Sequence, residues 1–192
     1  VNIRWSVAEV AYSLRDCDTR VLLVDDAFVA TLPEVRALAP NLETVIFCGD
    51  GPVPDGAVDY EKLIETNEPI VDARRGGSEL YGVFYTGGTT GHPKGVMLSH
   101  QAMLASAMGA VTTFDVLTRG GQLLHAAPMF HLADIAAWNI GMITGSTHVI
   151  VPAFTPAGVA AAISTHRVTD ALLVPTMIQM LVDSPDAADA DL

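Results

Sequence analysis

Apolar residues along this chain recur in two alternating ways, at helical spacing of about 3.6 and in short unbroken runs. Ser6 with Glu9 makes a capping box ahead of Val7-Ala-Glu-Val-Ala-Tyr-Ser-Leu14, which predicts a helix, and Arg20-Val-Leu-Leu-Val24 predicts a strand. Thr31 with Glu34 repeats the cap, with Pro33 in the first turn, and Thr44-Val-Ile-Phe-Cys48 predicts a second strand. Asp50 to Asp59 and Asn67 to Ser78, rich in Gly, Pro and Asp or Asn, read as connectors. Leu80 to Tyr85 is an aromatic, β-branched strand, and Val96-Met-Leu98 resumes an extended pattern.

Farther along, Ser99 can cap a helix whose apolar positions are Met103, Leu104, Ala107, Met108 and Val111. Gln122 to Ala127 predicts a strand, Pro128 to His131 a turn, Ala133 to Met142 a helix and Thr147 to Val151 a strand. Thr155-Pro156 opens another helix, Asp170 to Val174 is a buried strand, and a last helix follows Pro175. Helix and strand in alternation predict an α/β fold, a mostly parallel sheet with helices on both faces.

Composition agrees with a buried sheet. Half of the 192 residues are hydrophobic and 17% are charged, which excludes disorder. A net charge of -12 argues against nucleic acid or an anionic membrane as partner. From Ile135 to His166 no Asp, Glu, Lys or Arg occurs, yet Asn139, Gly141, Gly145, Pro152 and Pro156 interrupt the run, so it reads as core rather than as a membrane span. Cys17 and Cys48 form no Cys-x-x-Cys pair, and two free thiols suit a cytoplasmic location. His92, His100, His125, His148 and His166 show no metal spacing and are expected to face solvent or pack.

The densest chemistry lies in Tyr85-Thr-Gly-Gly-Thr-Thr-Gly-His-Pro-Lys-Gly95. Glycines let backbone N–H groups approach an anion, threonine hydroxyls add donors, and Lys94 supplies a positive charge. The chain has only two lysines, and between Leu80 and Phe114 it has no Asp or Glu, although 15 of its 22 acidic residues precede Leu80. A Walker loop would need Gly-Lys-Ser/Thr opening a helix, and a dinucleotide turn a differently spaced glycine set; neither fits. The bland reading is a Gly/Thr turn without a ligand.

This run resembles the phosphate loop of the adenylate-forming superfamily, which includes acyl-CoA synthetases, luciferases and peptide-synthetase adenylation domains, at every position from Tyr85 to Gly95. Gly87 stands where Ser is commoner. The opening Asn2-Ile-Arg4 and Tyr12-Ser-Leu14 resemble the family more loosely. The resemblance implies that residues 1–192 are part of a large N-terminal AMP-binding domain. The adenine, ribose and Mg²⁺ ligands and the C-terminal lid domain are expected outside the chain, which by itself is expected to be inactive.

The resemblance also implies a reaction: a carboxylic acid attacks MgATP to give an acyl-adenylate, and CoA then displaces AMP. Thr86, Gly87, Gly88, Thr89, Thr90, Gly91 and Lys94 would hold the ATP phosphates. Pro128-Met-Phe-His131, at a strand's carboxyl end, resembles the family's Pro-x-Phe-His element and assigns Phe130 and His131 to the acyl pocket. Trp138 and Met142, one helical turn apart, are further lining candidates, although such residues commonly serve as core. Lys94 and His131 are the catalytic candidates, and no residue is assigned to a metal. Other readings remain open: a noncatalytic nucleotide-binding fragment, a kinase or NTPase, and an amino-acid adenylation domain.

Overall fold

Two parallel three-stranded sheets carry the fold. The computed structural model describes residues 1–86, 93–113 and 117–188. These divide into two compact units, one built from residues 1–75 and the described part of 83–97, the other from 76–82 and the described part of 98–192.

In the first unit the capping box forms as expected. Ser6 N donates to Glu9 Oε2 at 2.8 Å and Glu9 N to Ser6 Oγ at 3.4 Å, starting α1 (Val7–Asp16). β1 (Val21–Val24) pairs in parallel with β2 (Thr44–Phe47), placing Val21 opposite Thr44 and Val24 opposite Phe47. The cap expected of Thr31 does not form. A 3-10 segment, Asp26–Thr31, precedes α2 (Leu32–Leu38) and leaves Thr31 at φ -89°, ψ -14°, not in the extended geometry a capping residue needs. The Thr31 hydroxyl donates back to Phe28 O at 2.8 Å instead.

The connector expected to run through Asp59 ends two residues early. Val58–Asp59 is β3, parallel to β2, and Asp59 accepts from Lys62 N at 3.2 Å to cap α3 (Tyr60–Thr66), a helix the apolar pattern does not announce. Ala11 and Leu14 of α1 pack on Val35 and Ala39, and Leu32 packs with Val24, Val45 and Phe47. Each of the leucine, valine and phenylalanine side chains among them contributes roughly 1.5–3 kcal/mol.

β4 (Leu80–Thr86) pairs with β5 (Lys94–Ser99) in a separate two-stranded sheet. Ser99 Oγ then accepts from Ala102 N at 3.1 Å at the start of α4 (His100–Thr113), as its position predicted.

The second parallel sheet has β6 (Gln122–His125) at its centre, α5 (Leu132–Thr144) leading to β7 (Thr147–Ile150) on one side, and α6 (Pro156–His166) leading to β8 (Asp170–Leu172) on the other. β6 and β8 stop two residues short of the expected ends. Helices α7 (Pro175–Val182) and α8 (Pro185–Ala188) follow.

Alternation along β6 sorts its side chains to opposite faces. Leu124 packs with Val149, with Val159, Ala160 and Ala162 of α6, and with Leu181. Leu123 and His125 point the other way, toward α5. A Cβ on Gly141 of that helix would lie 2.8 Å from Leu123 Cδ2 and 2.7 Å from His148 Cε1, so α5 approaches the sheet where it has no side chain. Gly145, at φ 71°, ends α5 in the left-handed region that glycine adopts without strain. Among the described residues no helix is long and apolar enough to cross a membrane.

Candidate functional site

The glycine- and threonine-rich run starts from the end of β4 and returns through β5. Of its candidate residues, Gly87, Gly88, Thr89, Thr90 and Gly91 lie outside the described residues, as does His92. The flanks are described, and they meet. Thr86 Oγ1 donates to Lys94 O at 3.4 Å, and both residues are exposed.

The outermost residues of the run serve structure. Tyr85 Oη donates to Asp16 Oδ2 at 2.6 Å and lies 3.3 Å from Ser13 O, tying the end of β4 to the end of α1, while Trp5 meets its ring edge-on at a centroid distance of 5.8 Å. Gly95 lies under the same ring: a Cβ there would sit 2.6 Å from Val83 Cγ1 and 3.1 Å from Tyr85 Cζ. Glycine at 95 therefore follows from close packing, apart from any need for an anion.

Burial, and after it the bond to the Asp16 carboxylate, push the Tyr85 phenol well above its ordinary value of 10.0. A raised pKa keeps the proton on, so stability from this contact is complete below pH 10.0 and is lost as pH rises through the folded value. An alkaline titration followed by tyrosinate absorbance is therefore expected to leave one of the four tyrosines un-ionised until the chain unfolds. Four tyrosines titrating together in the folded chain would contradict the tether.

The second constellation follows β6. His131 N donates to Pro128 O at 3.0 Å, closing the expected turn, and His131 stands as N-cap of α5 in extended geometry with no side-chain cap bond. Its ring is exposed and lies 4.3 Å, centroid to centroid, from that of half-buried Phe130. The other two lining candidates are placed differently. The Trp138 ring lies 4.1 Å from that of His148 and 5.3 Å from that of His125, tilted to both, and Met142 is 63% exposed.

Three further residues form a polar chain that the pattern reading did not single out. His125 Nδ1 and Asp134 Oδ2 are 3.0 Å apart, and His125 Nε2 and His148 Nδ1 are 2.8 Å apart. His125 and Asp134 are buried, and among the described residues Asp134 Oδ1 and His148 Nε2 have no hydrogen-bond partner. Burial raises the Asp134 pKa above 3.8, against the opposing bond to His125; burial, and then the charge of His125, lower that of His148 below 6.5.

A signal for this chain did exist in the sequence. Asp134 is the one acidic residue between Asp115 and Asp170, set in apolar surroundings where an ionisable group must find partners.

Among the described residues there is no group of three His, Cys, Asp or Glu that could hold a metal ion. An apolar hollow of about 460 Å³ in the first unit, lined by Ile3, Trp5, Leu22, Val24 and Phe28 among others, includes none of the candidate residues.

A family model described as AMP-binding enzyme matches residues 1–192. Indoleacetate–CoA ligase of Aromatoleum aromaticum is 31% identical over 195 residues, a match covering 100% of this chain and 38% of that protein. Long-chain-fatty-acid–CoA ligase FadD13 of Mycobacterium tuberculosis is 29% identical over 191 residues, covering 100% and 37%. Among solved structures, the inhibitor-bound N-terminal domain of FACL13 from Mycobacterium tuberculosis superposes with a TM-score of 0.83 at 27% identity, covering 100% of this chain and 46% of that one. The chain spans less than two-fifths of the length of these two curated relatives.

Proposed function

We propose, for a chain that belongs along its whole length to the AMP-binding enzyme family, that the protein carrying it activates a carboxylic acid with ATP and passes the acyl group to CoA. In the first step a carboxylate oxygen of the acid attacks the α-phosphorus of ATP. A P–O bond to the acyl group forms, the bond between the α-phosphorus and its bridging oxygen breaks, and pyrophosphate leaves with the electron pair. In the second step the CoA thiol gives up its proton to solvent, its sulfur attacks the acyl carbonyl carbon, and the bond from that carbon to the phosphate oxygen breaks as AMP departs.

The observation that carries this reading is the run from Tyr85 to Gly95, whose flanks Thr86 and Lys94 are hydrogen-bonded to each other and exposed. Thr86, Thr89 and Thr90 would give hydroxyl donors, and Gly87, Gly88 and Gly91 backbone N–H groups, to the β- and γ-phosphates. Lys94 would neutralise the charge gathering on the departing pyrophosphate, where a fixed positive group lowers the barrier most. Phe130 and His131 would lie beside the acyl group. Trp138 and Met142 are retained as weaker lining candidates.

Support for a fatty or arylalkanoic acid as substrate comes from the names of the relatives, indoleacetate–CoA ligase and long-chain-fatty-acid–CoA ligase. Phe130-His131 favours an acyl-CoA ligase over an amino-acid adenylation domain. Mg²⁺ would arrive with ATP and take its protein ligands from residues outside this chain. Residues 1–192 are read as part of the N-terminal domain, inactive until a C-terminal lid domain joins it, and the two free thiols are in keeping with a cytoplasmic enzyme.

The test is acid-dependent exchange of labelled pyrophosphate into ATP by the protein that carries this chain, with fatty and arylalkanoic acids compared against amino acids. Exchange with the first group supports the reading. Release of inorganic phosphate without exchange would replace it with an ordinary NTPase.

A further inference from the structure

The group made by buried His125 and Asp134 with half-buried His148 has no part in the two steps above, yet it brackets the acyl-side turn. His125 is the last residue of β6 and Asp134 lies in the first turn of α5, so their 3.0 Å contact closes the intervening segment that contains Pro128, Phe130 and His131.

Proton bookkeeping constrains the group. Two lone pairs cannot face each other at 3.0 or 2.8 Å, so one proton lies between Asp134 Oδ2 and His125 Nδ1, and a second lies between His125 Nε2 and His148 Nδ1. Two neutral imidazoles can supply both, but they leave Asp134 as a buried anion whose Oδ1 has no partner among the described residues. One additional proton makes the group uncharged, the form that burial favours.

We propose that Asp134 and His125 are positioning residues that hold Phe130 and His131 in place through this buried chain, which together with His148 carries one proton more than a carboxylate and two neutral imidazoles. The assignment of a task to Phe130 and His131 rests on the function proposed above; the bracketing of the turn does not.

The neighbours leave the group's charge its own. Among the described residues, Asp134 is the only titratable group on α5, His125 the only one on β6 and His148 the only one on β7. His131, the N-cap of α5, is exposed. On α4, His100 stands edge-on to Tyr81 at 5.2 Å, and Tyr81 Oη lies 3.4 Å from Asn139 Oδ1 of α5. Asp170 of β8 accepts from Thr118 N at 3.2 Å and Thr169 Oγ1 at 2.6 Å.

The sign of the pH dependence follows from counting protons beyond the carboxylate form. Between 3.8 and 6.5, the ordinary values, an unfolded chain holds two on these residues; above 6.5 it holds none. On the proposed assignment the folded group holds one on both sides of 6.5. Stability therefore rises with pH up to about 6.5, the side on which the lowered His148 value acts, and falls beyond it, the side on which the raised Asp134 value acts.

Thermal unfolding of the protein that carries this chain and of its Asp134→Asn variant, followed from about pH 6.5 to about pH 9, tests the proton. The asparagine variant can satisfy both contacts with two neutral imidazoles and has no extra proton to lose. Wild type is expected to lose melting temperature relative to the variant as pH rises; parallel curves would overturn the shared proton.

Positioning is read by NMR as the ring-to-ring contact of Phe130 and His131, which Asp134→Asn should keep and Asp134→Ala should lose. Survival of that contact in the alanine variant would overturn the positioning role. If the alanine variant does not fold, amide exchange at His131 in wild type decides. Protection equal to that of β6 supports a turn held by the network, and rapid exchange while β6 stays protected sinks it. None of these readouts uses ATP or an acid, so a failed exchange assay and a failed network are told apart.

Discussion

On the function proposed above, replacing Lys94 by alanine in the protein that carries this chain is expected to slow acid-dependent ATP–pyrophosphate exchange by roughly 30- to 150-fold, the equivalent of about 2–3 kcal/mol of barrier. Lys94 is exposed at the start of β5, where its main-chain oxygen accepts from Thr86. Removing its side chain takes away a charge without opening a cavity, so melting temperature should hardly move. The loss should fall mainly on kcat, because charge on the leaving pyrophosphate grows only as the bond to the α-phosphorus breaks. Lys94→Arg should recover part of the rate, since a guanidinium restores charge but spreads it over a planar group where the ammonium is compact. An exchange rate left unchanged by the alanine substitution would remove Lys94 from the reaction.

Leu124→Ala should be the most destabilising of the substitutions considered, costing about 2–5 kcal/mol. Leu124 is 0% exposed at the centre of β6, surrounded by Val149, Val159 and Leu181, and neighbours fixed in a sheet and two helices cannot collapse into the space it leaves. A typical domain is stable by about 5–15 kcal/mol, so the variant should melt far below the parent. Met142→Ala supplies the contrast. Its side chain is 63% exposed, and the change should stay within about 0.5 kcal/mol. Equal melting temperatures for the two variants would mean that the second unit does not have the core described here.

Local chemistry in the sequence led furthest where the responsible atoms are close in the chain. The Ser6–Glu9 box, the Ser99 cap and the turn at Pro128 to His131 were legible because each needs only a few consecutive residues, and all three form. Thr31 and Glu34 carry the same kind of pattern as the first box but fail, because the 3-10 segment that ends at Thr31 sets its backbone angles. α3 was missed for a related reason. Its cap, Asp59, also ends a strand set by pairing with β2, and no local pattern reports that pairing.

The candidate site divides in the same way. Tyr85 to Gly95 could be recognised as a run of letters, while the division of labour within it, tether at Tyr85 and close packing at Gly95, required the partners Asp16 and Val83. The His125, Asp134 and His148 group joins a strand, a helix and another strand, so only the parallel register that sets Leu123 opposite His148 brings its members together.

The near approach of α5 to the sheet also constrains how position 141 can change. A Cβ there would fall 2.7 Å from His148 Cε1 and 2.8 Å from Leu123 Cδ2. A lineage that trades Gly141 for even an alanine must first make room at both 123 and 148 or tilt the helix. In descendants of this chain a side chain at 141 should therefore arrive only after both neighbours have changed, whereas 148 can change while the glycine stays.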